Sequence, residues 1–216
     1  MEKEGKSKGR IFNEILFLVF LKNQLSMNLS EQAKSIINSN IDKQTKLKEL
    51  VSLVSEIPYK RIGSLNPSDM VFYGKGSCTP KHVFLAKYLK EIQVPVKFLV
   101  IPFYYKKASI QFPQDQQELI QNMPISYHIA LSVEINNRWT ILDVTWDSEL
   151  KSFPINENWD GVSDMNLAVT PEKIIERASD PRHFERKMSL KYSDSDKQIR
   201  AQFYHFFDTF LEKSRK

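Results

Sequence analysis

The chain has 216 residues, 41% of them hydrophobic and 12% aromatic, a composition ordinary for a globular protein with a substantial core. Its net charge is +5, but lysine and arginine are scattered and 26 acidic residues balance them, so no nucleic-acid partner is expected. The one cysteine excludes an internal disulfide and any zinc site with two thiolates, and the four histidines lack metal-binding spacings, so we expect no metal and no cofactor.

The chain begins with a basic stretch that leads into an apolar segment, which we interpret as a helix over residues 10–22. Asn13 and Glu14 interrupt this segment, and it is shorter than the roughly 20 apolar residues that cross a bilayer. We therefore expect neither a signal peptide nor a membrane span. A free thiol fits a reducing compartment, so the predicted location is cytoplasmic. Met27 is an alternative start, because the helical pattern after Ser30 does not depend on what precedes it.

Two more helices are predicted before the middle of the chain, one after Ser30 and one over residues 43–56, which Pro58 ends. The apolar stripe of the second consists of Leu47, Leu50, Val51 and Val54. The next segment, 58–77, is rich in turn residues and is predicted to be irregular. We divide the chain into an N-terminal helical extension, residues 1–55, and a second domain, residues 56–216.

A buried helix is predicted to begin at Ser77-Cys78-Thr79-Pro80, because serine is a favourable N-cap and proline is tolerated in the first turn. A free cysteine is usually an inert core residue. At a helix start, however, unpaired N–H groups and the helix dipole stabilise a thiolate, and the same N–H groups can bind an oxyanion. The preceding loop, Gly74-Lys75-Gly76, allows close approach of another backbone. Cys78 is therefore a candidate nucleophile.

Strands are predicted over residues 96–105, 127–135 and 138–146, with a polar insertion at 106–124 that carries a short helix near 116–121. The insertion either covers a cleft or is a solvated loop. A basic amphipathic helix follows near 195–213, with a core stripe of phenylalanines: Phe203, Phe206, Phe207 and Phe210. Helices followed by a sequential antiparallel sheet predict an α+β fold.

The pair Asn136-Asn137 is compatible with a type I′ turn, which needs positive φ at both central residues. A two-residue turn pairs Ile135 with Arg138, and the same register makes His128 and Asp143 diagonal neighbours on one face. Small residues on that face, Ala130 and Ser132, leave room for docking, whereas the opposite face is apolar. A slip of one residue would separate the pair.

A helix-start cysteine, a strand histidine and an aspartate on the same face are the parts of a Cys–His–Asp triad. In this hypothesis Cys78 attacks an acyl carbon, His128 holds the thiol proton and Asp143 orients the imidazole. Asp147 is the reserve acid if the turn is longer, and Trp146 walls the site. His82 is interpreted as a surface residue, with an auxiliary role as the alternative.

Two segments, GKGSCTPKHVFLAKYLKEIQVPVKFLVI and YHIALSVEINNRWTILDVTWD, resemble the transglutaminase-like superfamily of papain-like thiol enzymes. The resemblance covers about residues 56–147. It implies a papain-like α+β fold in which the cysteine helix docks on an antiparallel sheet, and it implies the roles given above for Cys78, His128 and Asp143.

The resemblance leaves the reaction open, since members include protein cross-linkers, peptidases, amidases, deglycosylating enzymes and inactive proteins. Where papain-like proteases carry an oxyanion-binding glutamine, this chain has Phe72, and Tyr59 or Tyr73 are the candidate substitutes. We predict a cysteine-dependent hydrolase or acyltransferase that acts on amide or peptide bonds through a thioester. The alternative is a catalytically inactive transglutaminase-like binding module.

Overall fold

A computed structural model describes residues 29–215, and the helix expected over 10–22 lies outside them. Helix α1 includes residues 29–38, and α2 spans Lys43–Ser55, as the sequence predicts to within one residue. The remaining helices are α3 (Pro67–Tyr73), α4 (Cys78–Glu91), α5 (Gln117–Gln121), α6 (Arg182–Ser189) and α7 (Asp194–Ser214). None of the helices in this part of the chain combines the length and apolarity needed to cross a bilayer.

One antiparallel sheet of four strands lies among these helices, in the order β3-β2-β1-β4. Its strands are β1 (Val96–Phe103), β2 (Ser126–Ile135), β3 (Arg138–Leu142) and β4 (Ile175–Arg177). The predicted α+β class is therefore confirmed. The division of the chain at residue 55 stays a prediction, and α2 packs in the same core as α4.

The turn between β2 and β3 has the predicted geometry. Asn136 and Asn137 have φ of 51° and 63°, the positive values that a type I′ turn requires. Ile135 pairs with Arg138, and the ladder continues to Leu131 opposite Leu142. Strand β3 ends four residues earlier than predicted, so Asp143 lies just beyond the last paired residue.

The two faces of the sheet contact different parts of the chain. Helix α4 packs on the apolar face of β2 and α2 packs on α4, in a first core that includes Ile129, Leu131 and Val133. The other face carries a small cluster of Leu99, Ile101 and Ala130, which Leu167 and Val169 cover. The space expected around Ala130 is thus filled by this later segment, and docking of the cysteine helix occurs on the opposite face.

A second core joins α7 to the segment around α5 and to the chain after Asp143. Phe203 and Phe207 of α7 are fully buried there, beside Tyr105 and Trp146. Because Trp146 follows the end of β3 closely, this core places α7 next to the triad candidates.

Three elements were absent from the sequence prediction. Helix α3 lies inside the segment 58–77, which the turn residues predicted to be irregular; Pro67 occupies its first turn, and Gly74, with φ of 63°, ends it. Strand β4 and helix α6 are short and contain no buried residue, so they lack a clear hydrophobic period.

Candidate active site

Cys78 is the first residue of α4, and Ser77 occupies the N-cap position as predicted. The Ser77 side chain makes no capping hydrogen bond, so it does not consume the N–H groups of the first turn. Pro80 has no N–H to donate, and the N–H of Lys81 bonds to the Ser77 carbonyl. The N–H groups of Cys78 and Thr79 are therefore the backbone donors that the helix start offers to a ligand.

The loop before Cys78 is held by close packing. A Cβ at Gly76 would lie 2.5 Å from Cγ of the buried Met70, so only glycine fits between α3 and the cysteine. Gly76 also exchanges backbone hydrogen bonds with the Pro58 carbonyl and the Lys60 N–H. This short parallel bridge places Tyr59 alongside the residues that lead to Cys78.

His128 and Asp143 form a buried pair, with 2.7 Å between His128 Nε2 and Asp143 Oδ2. Both side chains are almost completely inaccessible. The aspartate engages Nε2, so Nδ1 is the ring nitrogen left for the thiol of Cys78. The register predicted from the sequence brings these two residues together.

The pair is charged. Burial alone would lower the pKa of His128, but the Asp143 carboxylate, its hydrogen bond and the neighbouring Cys78 outweigh it and raise that pKa to about 10. Burial alone would raise the pKa of Asp143, but the His128 cation and further hydrogen bonds hold it well below its usual range. Both shifts therefore favour an imidazolium beside a carboxylate.

Further hydrogen bonds fix the Asp143 carboxylate. Oδ2 also accepts from the Ala168 N–H at 2.8 Å, and Oδ1 accepts from the N–H and hydroxyl of Thr145 at 3.2 and 2.5 Å. The segment that covers the His128 face thus supplies one of the donors. The carboxylate has little freedom to rotate, so the imidazole orientation is fixed as well.

His82 is fully buried, and its interpretation as a surface residue is wrong. The Val144 N–H donates to Nε2 at 3.1 Å, so Nδ1 carries the proton and donates to the Cys78 carbonyl at 2.7 Å. Burial lowers the pKa of His82 to about 4, against the attraction of Asp143. His82 is therefore a neutral bridge between the first turn of α4 and the segment that carries Asp143.

Lys81 is fully buried as well. Its Nζ donates to the carbonyls of Ser55, Ile57 and Thr145 at 3.1, 2.8 and 3.1 Å. Helical spacing was the available signal for both residues, because positions 81 and 82 precede the buried Leu85 by four and three residues. The sequence analysis interpreted His82 as a surface residue and made no prediction for Lys81.

Cys78 and His128 line one cavity of about 160 Å³. Tyr59 lines it too, whereas Tyr73 does not and is 48% exposed, so the structure brings one of the two tyrosine candidates to the cysteine. Trp146 is part of the wall, as predicted. Asp147 lies elsewhere: its Oδ2 accepts hydrogen bonds from the Tyr59 N–H and from Arg215.

The cavity also contains charged residues that sequence reasoning did not identify: Arg61, Glu185 and Arg200. Thr79 donates its hydroxyl to Glu185 Oε1, and burial raises the pKa of Glu185 to about 7. No short motif marks these residues, because they come from a loop, α6 and α7. Residues 106–124, expected either to cover a cleft or to be solvated, contribute Ala108 and Ile110 to the lining.

Within residues 29–215, no group of three or more His, Cys, Asp or Glu side chains is arranged to hold a metal ion. No protein-family model matches the chain. A search of curated proteins finds no similar sequence.

Solved structures that resemble part of the chain include one from a bacterium. It is described as a "putative cysteine protease" from Cytophaga hutchinsonii, with 13% sequence identity and a TM-score of 0.36. The similar region covers 61% of this chain and 40% of that protein, so the chain spans less than half of its length.

Proposed function

We propose that the protein is a cysteine-dependent hydrolase or acyltransferase with a papain-like, transglutaminase-like fold, acting on amide or peptide bonds through a thioester. The observation that carries this proposal is the buried His128–Asp143 pair, with 2.7 Å between Nε2 and Oδ2, next to a cysteine at a helix start. The proposed chemistry needs a nucleophile, a base and an orienting acid, and Cys78, His128 and Asp143 are the residues that would supply them.

In the proposed first half-reaction, the Cys78 sulfur attacks the acyl carbon as a thiolate, its proton already resting on His128. The carbonyl oxygen becomes an oxyanion, which the backbone N–H groups at the start of α4 stabilise. The C–N bond then breaks as Nδ1 of His128 gives its proton to the departing amine. A thioester on Cys78 and a neutral imidazole result.

In the second half-reaction, water or an amine attacks the thioester carbon and gives a proton to His128. The C–S bond breaks, the thiolate re-forms beside the imidazolium, and the acid or new amide leaves. Asp143 keeps its charge throughout and stabilises the imidazolium. The hydroxyl of Tyr59, which lines the same cavity, is the side-chain candidate for a second oxyanion donor.

The rate at which iodoacetamide alkylates Cys78 between pH 5 and pH 9 tests this proposal. We expect Cys78 to react faster than a free model thiol below about pH 8, because the imidazolium and the helix start favour the thiolate. Mass spectrometry of the labelled peptide gives the rate, since the chain has one cysteine. If Cys78 follows the profile of the model thiol, the nucleophile is not activated and the inactive binding module is the better description.

A further inference from the structure

The proposed function leaves two cations of the cavity unused, Arg61 and Arg200. The Arg61 guanidinium lies over the Tyr204 ring, with Cζ 3.3 Å from its centroid, and Cζ of Arg200 lies 5.1 Å from the same centroid. Two guanidinium groups therefore contact one aromatic ring beside the catalytic candidates. An anion bound beside this ring would be attracted by both positive charges.

The part of the chain that the structure describes supplies no such anion at contact distance. No carboxylate of residues 29–215 lies within 4.0 Å of a nitrogen of Arg61 or Arg200. Asp208 influences Arg61 electrostatically from beyond that distance, and its own Oδ1 is buried without a hydrogen-bond partner.

The guanidinium groups also keep donors to offer. Nη1 of Arg200 donates to the Ser126 hydroxyl at 3.0 Å and to the Tyr192 hydroxyl at 3.2 Å, which fixes the side chain against β2. A guanidinium has five N–H donors, and these two bonds use only one of its nitrogens. A planar guanidinium fork matches the geometry of a carboxylate.

Glu185, the third charged group of the cavity, interacts electrostatically with both arginines but forms no ion pair within 4.0 Å with either of them. Glu185 is held by the Thr79 hydroxyl next to Cys78, and burial raises its pKa to about 7, so it carries less than a full negative charge near neutral pH. The guanidinium groups lie instead around Tyr204, on α7. The two guanidinium groups thus form a cationic part of the cavity lining near Tyr204.

We propose, on the basis of the function proposed above, that Arg61 and Arg200 bind a carboxylate on the acyl part of the substrate while Cys78 attacks its amide carbon. The volume of about 160 Å³ sets the size of that group. A closed cavity of about 150 Å³ accommodates a molecule the size of benzene, so a short acyl chain has room at this site. The substrate class is a small amide whose acyl group is negatively charged.

Protection of Cys78 from iodoacetamide tests this assignment, with succinamate as the anionic probe and succinamide as its neutral match. Each protein is compared with its own rate without competitor. We expect succinamate to give half-protection at about a tenfold lower concentration than succinamide, the ratio that one charge-assisted hydrogen bond provides. Arg61→Gln and Arg200→Gln should each remove most of this preference.

Arg138→Gln is the matched control, because Arg138 is exposed on β3 and does not line the cavity. Arg61→Lys and Arg200→Lys retain the positive charge but lack the planar guanidinium, so they should retain part of the preference for succinamate. A partial preference in these variants shows that the loss in the glutamine variants is not caused by misfolding. Equal protection by the two probes, or a preference that survives in both glutamine variants, would overturn the proposal. Stronger protection by inorganic phosphate than by succinamate would overturn the carboxylate assignment.

This test and that of the proposed function fail in different ways. Protection requires only that Cys78 be alkylated inside the cavity, and an unactivated thiol still reacts at alkaline pH. If Cys78 is not activated but succinamate protects it selectively, the anion site is supported and the proposed enzymatic function is contradicted. If Cys78 is activated but succinamate does not protect it selectively, the enzymatic function is supported and the anion site is contradicted.

Discussion

At the scale of single residues, protonation states separate the two buried histidines. His128 and His82 have ring centroids 6.1 Å apart, yet one pKa is raised to about 10 and the other is lowered to about 4. The difference follows from their partners. His128 has a carboxylate at hydrogen-bond distance, whereas His82 accepts a hydrogen bond from a backbone N–H and must stay neutral.

The neutral state of His82 predicts a loss of stability in acid. Its pKa is about 4 in the folded chain and 6.5 in the unfolded chain. Between these pH values the unfolded chain binds a proton at His82 and the folded chain does not. The contribution of His82 to the free energy of unfolding therefore decreases by about 3 kcal/mol as the pH falls from about 6.5 to 4.

His82→Gln keeps a donor and an acceptor but removes the titrating group. Urea unfolding of both proteins across this pH range should show a shallower decline in the variant, and the difference between the two curves isolates His82. His205→Gln, at an exposed position of α7, is the control. Identical pH dependence in the wild type and His82→Gln would contradict the neutral bridge.

At the scale of elements, the start of α4 is anchored to two other parts of the fold. Lys81 donates to two carbonyls at and just after the end of α2 and to the Thr145 carbonyl beyond β3, while His82 accepts from the Val144 N–H. Because these anchors occupy the turn after Cys78, they fix the cysteine relative to His128 and Asp143.

Lys81→Met should lower the free energy of unfolding by about 3 kcal/mol, since three buried carbonyls lose their donor. Lys87→Met is the matched control, because Lys87 is exposed on the same helix. Urea unfolding at neutral pH measures both. If the two variants are equally stable, the three hydrogen bonds of Lys81 do not hold the helix.

The elements that the sequence predicts well carry strong local signals. The stripe of α2 is buried as predicted, and Asn136-Asn137 sets the register that brings His128 to Asp143. The sequence does not predict elements and site residues whose positions depend on tertiary contacts. Helix α3 depends on packing between Met70 and Gly76, and Glu185 and Arg200 reach the cavity only because their helices fold back over it. The polarity of His82 concealed its burial.

At the scale of the whole molecule, the second core determines whether the site is complete. Helix α7 contributes Arg200 and Tyr204 to the cavity, and aromatic contacts with Tyr105 and Trp146 hold it in place. The end of the described chain is therefore part of the candidate site, although it is distant in sequence from Cys78.

Phe207→Ala should lower the free energy of unfolding by about 3–5 kcal/mol, because Phe207 is fully buried in this core. Phe206→Ala, one position earlier and only partly buried, should cost clearly less. Thermal or urea unfolding of the two variants makes the comparison. Equal losses would show that α7 does not pack through the face described here.

The alkylation rate of Cys78 at about pH 6, compared between the wild type and His128→Gln, tests whether His128 activates the thiol. We expect a decrease of about tenfold or more in the variant, because the thiolate loses its paired cation. His183→Gln, at an exposed position of α6, should react as the wild type does. A His128→Gln protein that is folded and alkylated at the wild-type rate would contradict the claim.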